Sequence, residues 1–259
     1  MKTLTVYGTR GSFPVENPEF VTFGGATSCY LFSFESADIM VDCGSGAAQA
    51  GERLKALPSL TLLITHPHLD HICGIVTLTA LLGGKPLRIV ATDETRRALC
   101  ALMSPPFWPV PLAAMENVTF YPLRDRMQIG GVTVRLRPSN HVGGTYLYRL
   151  TEGATSVVTA FDFNHADGYG EILTDFARDC SLMLYDGSMT EEEYKIHSTW
   201  GHSVPAEGVK IAKAAGARKL LITHHGTNAS DEFLLAEERA LQADFPNLHY
   251  ARAGSQIEI

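Results

Sequence analysis

The chain has 259 residues, 45% of them hydrophobic and 19% charged, with a formal net charge of −7. This length and balance fit a globular protein with a sizeable core, and the acidic excess argues against a general nucleic-acid binder, which would carry a basic footprint. It does not argue against a small anionic substrate drawn to a bound ion, because an ion is often the largest local charge in a site.

The five cysteines include no Cys-x-x-Cys spacing, so a reducing compartment is expected rather than a disulfide framework. The first residues alternate like a strand and lack the apolar region of a signal peptide. No run approaches the ~18 apolar residues of a membrane span. The expectation is a cytoplasmic protein with no membrane association.

In chain order, residues 4–7, 28–34 and 38–42 read as strands, rich in β-branched and aromatic residues between turn signals. Residues 46–57 read as a helix ended by Pro58, and 60–65, LTLLIT, as a short buried strand. The loop 65–74, THPHLDHICG, follows directly. A helix over 72–84 closes on glycines, a strand covers 87–91, and a helix over 93–103 has Asp93 as its N-cap candidate. Residues 104–117 carry four prolines with Phe107 and Trp108, which forbids a helix or central strand. A surface loop pinned by buried aromatics is expected there, with an aromatic lid as the alternative.

Strands then follow at 118–123, 127–138, 144–151 and 155–161. Helices at 169–179, 203–217 and 230–244 alternate with strands at 181–186 and 219–223, and a strand pair lies near 248–259. No repeat or linker divides the chain, so one domain over 1–259 is expected. Interleaved helices and strands with a meander between them predict a layered α/β fold with the helices outside.

The loop places His66, His68, Asp70 and His71 within six residues. Imidazole nitrogen and carboxylate oxygen are the usual ligands of zinc and related divalent ions. Alternation at a strand end lets His66 and His68 point the same way, while Asp70 and His71 face a second ion. Further ligands are expected just past other strand ends, where α/β sheets gather their chemistry. His141, Asp162 and His224 lie there, with His225 as the alternative to His224.

The loop matches the Thr-His-x-His-x-Asp-His-x-x-Gly signature, and the chain resembles the metallo-β-lactamase fold superfamily over nearly its whole length. The resemblance implies a four-layer αββα sandwich of two mixed sheets. It also implies that Asp42 braces the site, that His66, His68 and His141 hold one ion, that Asp70, His71 and His224 hold the other, and that Asp162 bridges them. The ions implied are two divalent metals, zinc first, with manganese or iron as alternatives.

The stretches GTRGSFPV, FGGATSCYL, SNHVGGTYLYRL, DGSMTEEEY and WGHS are similar to the branch containing tRNase Z and bacterial phosphodiesterases, including those acting on cyclic nucleotides. That branch implies a proton donor at His202 backed by Asp186, with Asp70 orienting the attacking water and a homodimeric assembly. A histidine suits proton donation because it titrates near neutral pH. The bland reading of His202 is a hydrogen-bonding residue at a helix entrance, with Ser203 as N-cap.

The function expected is a dinuclear, metal-dependent phosphodiesterase acting on small or cyclic nucleotide-like diesters, without a stable nucleic-acid complex. The alternatives are a tRNase Z-like endoribonuclease, which would carry a tRNA-gripping arm and basic phosphate contacts, and hydrolysis of a thioester or lactone on the same fold. Redox di-iron chemistry is set aside, because flavin-linked di-iron members of the superfamily have glutamate where this chain has His68.

Overall fold

The computed structural model describes residues 1–259. Its strands form two seven-stranded mixed sheets. The first is built from β1 (Thr3–Gly8), β2 (Cys29–Ser33), β3 (Asp38–Val41), β4 (Leu60–Leu63), β5 (Leu87–Ala91) and β6 (Val118–Pro122), with the C-terminal β14 (Gln256–Glu258) added at its edge. The second runs from β7 (Arg126–Ile129) through β8 (Val132–Pro138), β9 (Tyr146–Glu152), β10 (Thr155–Ala160), β11 (Leu182–Asp186) and β12 (Leu220–Thr223) to β13 (Leu248–Tyr250). The helices are α1 (Gly51–Ala56), α2 (Leu69–Ile72), α3 (Ile75–Leu82), α4 (Asp93–Leu102), α5 (Tyr169–Phe176), α6 (Glu191–His197), α7 (Pro205–Ala215) and α8 (Asp231–Gln242).

Alternation along the strands explains the layers. On β11, Leu182 and Leu184 join Leu4, Phe32, Leu63 and Tyr148 in a core between the sheets. Met183 and Tyr185 face the other way, onto Val209 of α7 and Leu173 of α5. On β4, Leu60 and Leu62 pack outward with Leu54, Leu78 and Leu99 of α1, α3 and α4. A strand that is apolar on both faces must be covered on both. The result is helix, sheet, sheet, helix. No helix is long and apolar enough to cross a membrane.

Several local expectations are corrected. The run 127–138 splits into a hairpin at Gly130–Gly131, where Gly130 has φ +57°; such tight hairpins need positive φ. The final strands do not pair with each other: β13 lies parallel to β12, while β14 crosses back to pair with β1. β6 belongs to the first sheet, parallel to β5, and not to the meander. The cap of α4 is Thr92, whose side chain accepts from Thr95 N; Asp93 is the first helical residue. In the proline-rich segment Trp108 packs on the first outer core but Phe107 is exposed, so one aromatic anchors the loop rather than two.

Candidate metal centre and catalytic cleft

Chain direction at the strand ends determines which side chains meet. β3, β4 and β5 are parallel, as are β10, β11, β12 and β13, so their C-terminal loops collect at one end of the sandwich. Asp42, Asp162 and His224 follow β3, β10 and β12 with φ of +58°, +54° and +58°. Non-glycine residues held in this region cost about 1–3 kcal/mol each and persist where the surroundings over-determine them.

Asp42 is buried and fixes the loop after β4. Its carboxylate accepts from Thr65 N (2.8 Å) and Thr65 Oγ1 (2.9 Å), and lies 2.7 Å from His71 Nδ1. Burial pushes this carboxyl up, against the charge and hydrogen bond of His71. With Nδ1–H donated to Asp42, the lone pair of His71 is on Nε2. His141 is set the same way, its Nδ1 lying 3.0 Å from the Gly201 carbonyl. Such outer partners orient histidines and select their tautomers. Gly201 has φ +85°, and a Cβ there would sit 2.6 Å from His141 Nδ1. A Cβ on Gly11 would lie 2.4 Å from the His224 ring.

The two oxygens of Asp162 face different groups. Oδ1 is 3.6 Å from His141 Nε2 and 3.9 Å from His66 Nε2. Oδ2 is 2.9 Å from His71 Nε2 and 3.3 Å from His224 Nε2. His68 Nδ1 lies 3.2 Å from His141 Nε2, and Asp70 Oδ2 lies 3.2 Å from His71 Nε2 and 3.4 Å from His224 Nε2. Donor atoms of His66, His68 and His141 therefore converge on one side of Asp162, and those of Asp70, His71 and His224 on the other.

The donor set fits divalent ions. Nε2 of His66, His71 and His224 and Oδ2 of Asp162 are buried and make no hydrogen bond. His71 Nε2 and Asp162 Oδ2 are close enough for one but wrongly aimed. Buried polar atoms left so cost about 1–3 kcal/mol each, and native proteins keep few of them. The charges agree. Although burial opposes it, His224 is pushed up to about 9 by Asp162, Asp70 and Asp186. Burial likewise opposes the ionised form of Asp162, yet His224 and His71 hold it well below the usual carboxylate range. The carboxylates call for positive charge at their centre, and metal binding would displace protons from the histidines.

Asp186 ends β11 in register with Thr223. It is fully buried, and its Oδ2 accepts from Asp162 N (2.8 Å) and sits 3.0 Å from His202 Nδ1. Oδ1 accepts from Ser188 N and Oγ, at 3.0 and 2.9 Å, and from Ser203 N at 3.3 Å. Burial opposes its ionised form, but His202 holds the carboxyl below its ordinary value. The His202 ring stacks 5.2 Å from that of His224. It lines a cleft of about 350 Å³ with Ser12, Ser188, Thr190, Trp200 and Asn228.

The structure thus brings together His66, His68, Asp70, His71, His141, Asp162, His224, Asp186 and His202. His225 points away, with Nε2 2.9 Å from the Ala251 carbonyl; burial pushes it down to about 3. Ser203 is not the helix cap expected: α7 begins at Pro205 after Val204, without a side-chain cap, and Ser203 Oγ bonds Tyr185 and His165. Arg10 is buried, and its guanidinium donates to the carbonyls of Gly24, Gly226 and Ala229. The sequence reading missed the cleft wall of Trp200, Glu193 and Glu237, although WGHS placed Trp200 two residues from His202.

The family model described as the β-lactamase superfamily domain matches residues 38–225. The chain belongs to this family. A relative within reach of the superfamily member is the probable metallo-hydrolase YhfI of Bacillus subtilis, 26% identical over 85% of this chain and 86% of that one. Ribonuclease Z of Methanopyrus kandleri is 22% identical, over 88% of this chain and 90% of its own. Among solved structures, YhfI, described as a metallo-β-lactamase fold protein, superposes on the superfamily member with a TM-score of 0.78 at 24% identity, covering 100% of this chain and 99% of that one. A diphosphatase from the PhnP family gives 0.74 at 20% identity, covering 100% and 98%. The fold expected from the sequence is the one observed.

Proposed function

We propose that this hydrolase of the metallo-β-lactamase fold is a dinuclear phosphodiesterase acting on small or cyclic nucleotide-like diesters. The observation that carries the reading is the pair His202–Asp186, with Nδ1 3.0 Å from a buried carboxylate, set beside the two-sided Asp162 cluster. His66, His68 and His141 would hold one divalent ion, and Asp70, His71 and His224 the other, with Asp162 shared. When bound, such ions supply Lewis acidity toward a phosphoryl oxygen and acidify the attacking water; zinc is the first candidate, manganese and iron the others.

The protein's own groups do the rest. Asp70 Oδ2 is fixed by a hydrogen bond from Ser12 N (2.8 Å) and can accept from the attacking water. Asp186 holds His202 by Nδ1, so that Nε2 can give its proton to the leaving oxygen. A ribose hydroxyl is a poor leaving group, and a positioned acid typically contributes about 10²–10⁴-fold.

The test is elemental analysis of the purified protein, then turnover of 2′,3′- and 3′,5′-cyclic nucleotides, an aryl phosphodiester, a thioester and a precursor tRNA. Two ions per chain with fastest turnover of a small diester is the expected result. A thioester preference, or a trace of metal after reconstitution, would overturn it. The ribonuclease Z relatives favour a second reading, RNA cleavage; precursor tRNA cut far faster than any small diester would establish that instead.

A further inference from the structure

One wall of the cleft takes no part in the chemistry above. Trp200 is 57% exposed, yet it is anchored to the centre through Gly201, whose carbonyl receives His141 Nδ1. His197 stacks on its indole with 3.9 Å between centroids and 25° between planes. An aromatic face so placed is a stacking platform, and stacking a base on one typically gains about 5- to 100-fold in affinity.

The same cleft contains Glu193 and Glu237 but no lysine or arginine. Glu193 Oε2 accepts from Thr190 N (2.8 Å) and Oγ1 (3.0 Å), and Glu237 Oε2 from the Tyr250 hydroxyl (2.8 Å). In each carboxylate Oε1 has no such partner, and neither group is paired with a cation. Burial pushes the Glu237 carboxyl up, and the charges of Glu191 and Glu193 add to it. A protein that grips a chain of phosphates lines its path with basic side chains. This cleft has carboxylates there, so the substrate carries its charge at the scissile phosphate and presents hydrogen-bond donors beyond it.

We infer that the cleft selects a guanine-bearing mononucleotide diester, its base stacked on Trp200 and its Watson–Crick edge read by Glu193 or Glu237. This rests on the phosphodiesterase reading. Guanine offers N1–H and N2–H side by side, which one carboxylate accepts together. Uracil flanks its single N–H with carbonyls that repel a carboxylate. Adenine and cytosine set a ring acceptor beside their amino donor.

The test begins with binding. The chain has two tryptophans, and Trp108 lies in the proline-rich loop on the outer core of the other sheet. Titrating the metal-loaded protein with guanosine 5′-monophosphate should quench tryptophan fluorescence, with a Kd about 5- to 100-fold below that of uridine 5′-monophosphate. Trp200→Phe should remove the quenching. The double variant Glu193→Gln, Glu237→Gln should bring the two nucleotides to within about twofold. Equal or tighter uridine binding, or a guanine preference that survives in the double variant, overturns the inference. Hydrolysis of guanosine and uridine 2′,3′-cyclic phosphates separates the two readings. Binding preference without turnover of either sinks the phosphodiesterase reading alone, whereas equal kcat/KM with equal binding sinks the guanine reading alone.

Discussion

The two sheets have the same number of strands but supply the candidate centre in opposite ways. The first delivers His66, His68, Asp70 and His71 from one loop after β4, with Asp42 of the neighbouring strand end holding it. The second delivers His141, Asp162, Asp186 and His224 from four separate strand ends. The first half of the centre depends on local geometry and one brace. The second depends on the register of a whole sheet, because Asp186 and His224 meet only when β11 and β12 pair as they do.

The comparison can be broken first at Asp162, where the two halves touch. Asp162→Ala should release both ions and take turnover below detection, by elemental analysis and an aryl phosphodiester assay. Retention of one tightly held ion would show that the halves are independent. Next, His202→Ala should slow a ribose-leaving diester by about 10²–10⁴-fold and a nitrophenyl diester far less, with metal content unchanged. Equal slowing of both would remove the acid role. Third, Asp42→Asn weakens the brace of the compact half. Metal affinity should fall by about 10–100-fold, as for other outer-shell partners, chiefly for the ion nearest His71 in a chelator competition. An unchanged affinity would mean that Thr65 and the backbone suffice.

The smallest effect tests the distributed half by stability alone. Glu238 of α8 accepts from Arg252 Nη2 at 2.6 Å and from Tyr250 N at 2.8 Å. Burial opposes its ionised form, but Arg252 holds the carboxyl below its ordinary value. A depressed carboxyl stabilises the fold above its unfolded pKa of about 4.3 and loses that contribution as pH falls through the lower folded value. Glu238→Gln should therefore cost about 1–3 kcal/mol near pH 7, and the difference from the parent should shrink below about pH 4. A denaturation series with a pH-independent difference would refute this.

The same contrast explains what was legible in the sequence. The loop was readable because its four groups share one local spacing. Asp42, Asp162 and His224 were readable only as single residues after apolar strands, with the family pattern choosing among them. Between His224 and His225, the family pattern favoured His224, directly after Thr223, with His225 as the alternative. The left-handed turn at His224 decides it in the structure, sending one ring to the cluster and its neighbour to the Ala251 carbonyl. A layered α/β fold with outer helices was legible from alternating strands and helices, while its two-sheet, four-layer form was what the family resemblance implied. The destination of β14 was not legible, since an edge strand is placed by pairing across the chain and not by its own pattern. The Ser203 cap failed because its hydroxyl had a stronger buried use, between Tyr185 and His165.

Arg10 gives the last consequence. Its backbone bridges to Thr27 on one side and His225 on the other, and its guanidinium holds the carbonyls of Gly226 and Ala229. Two segments 216 residues apart in sequence are thus clasped together. Loop closure over such separations is slow. Until residues 224–229 join the rest of the fold, the centre lacks His224, and Asp70 and His71 are without their partner across the cluster.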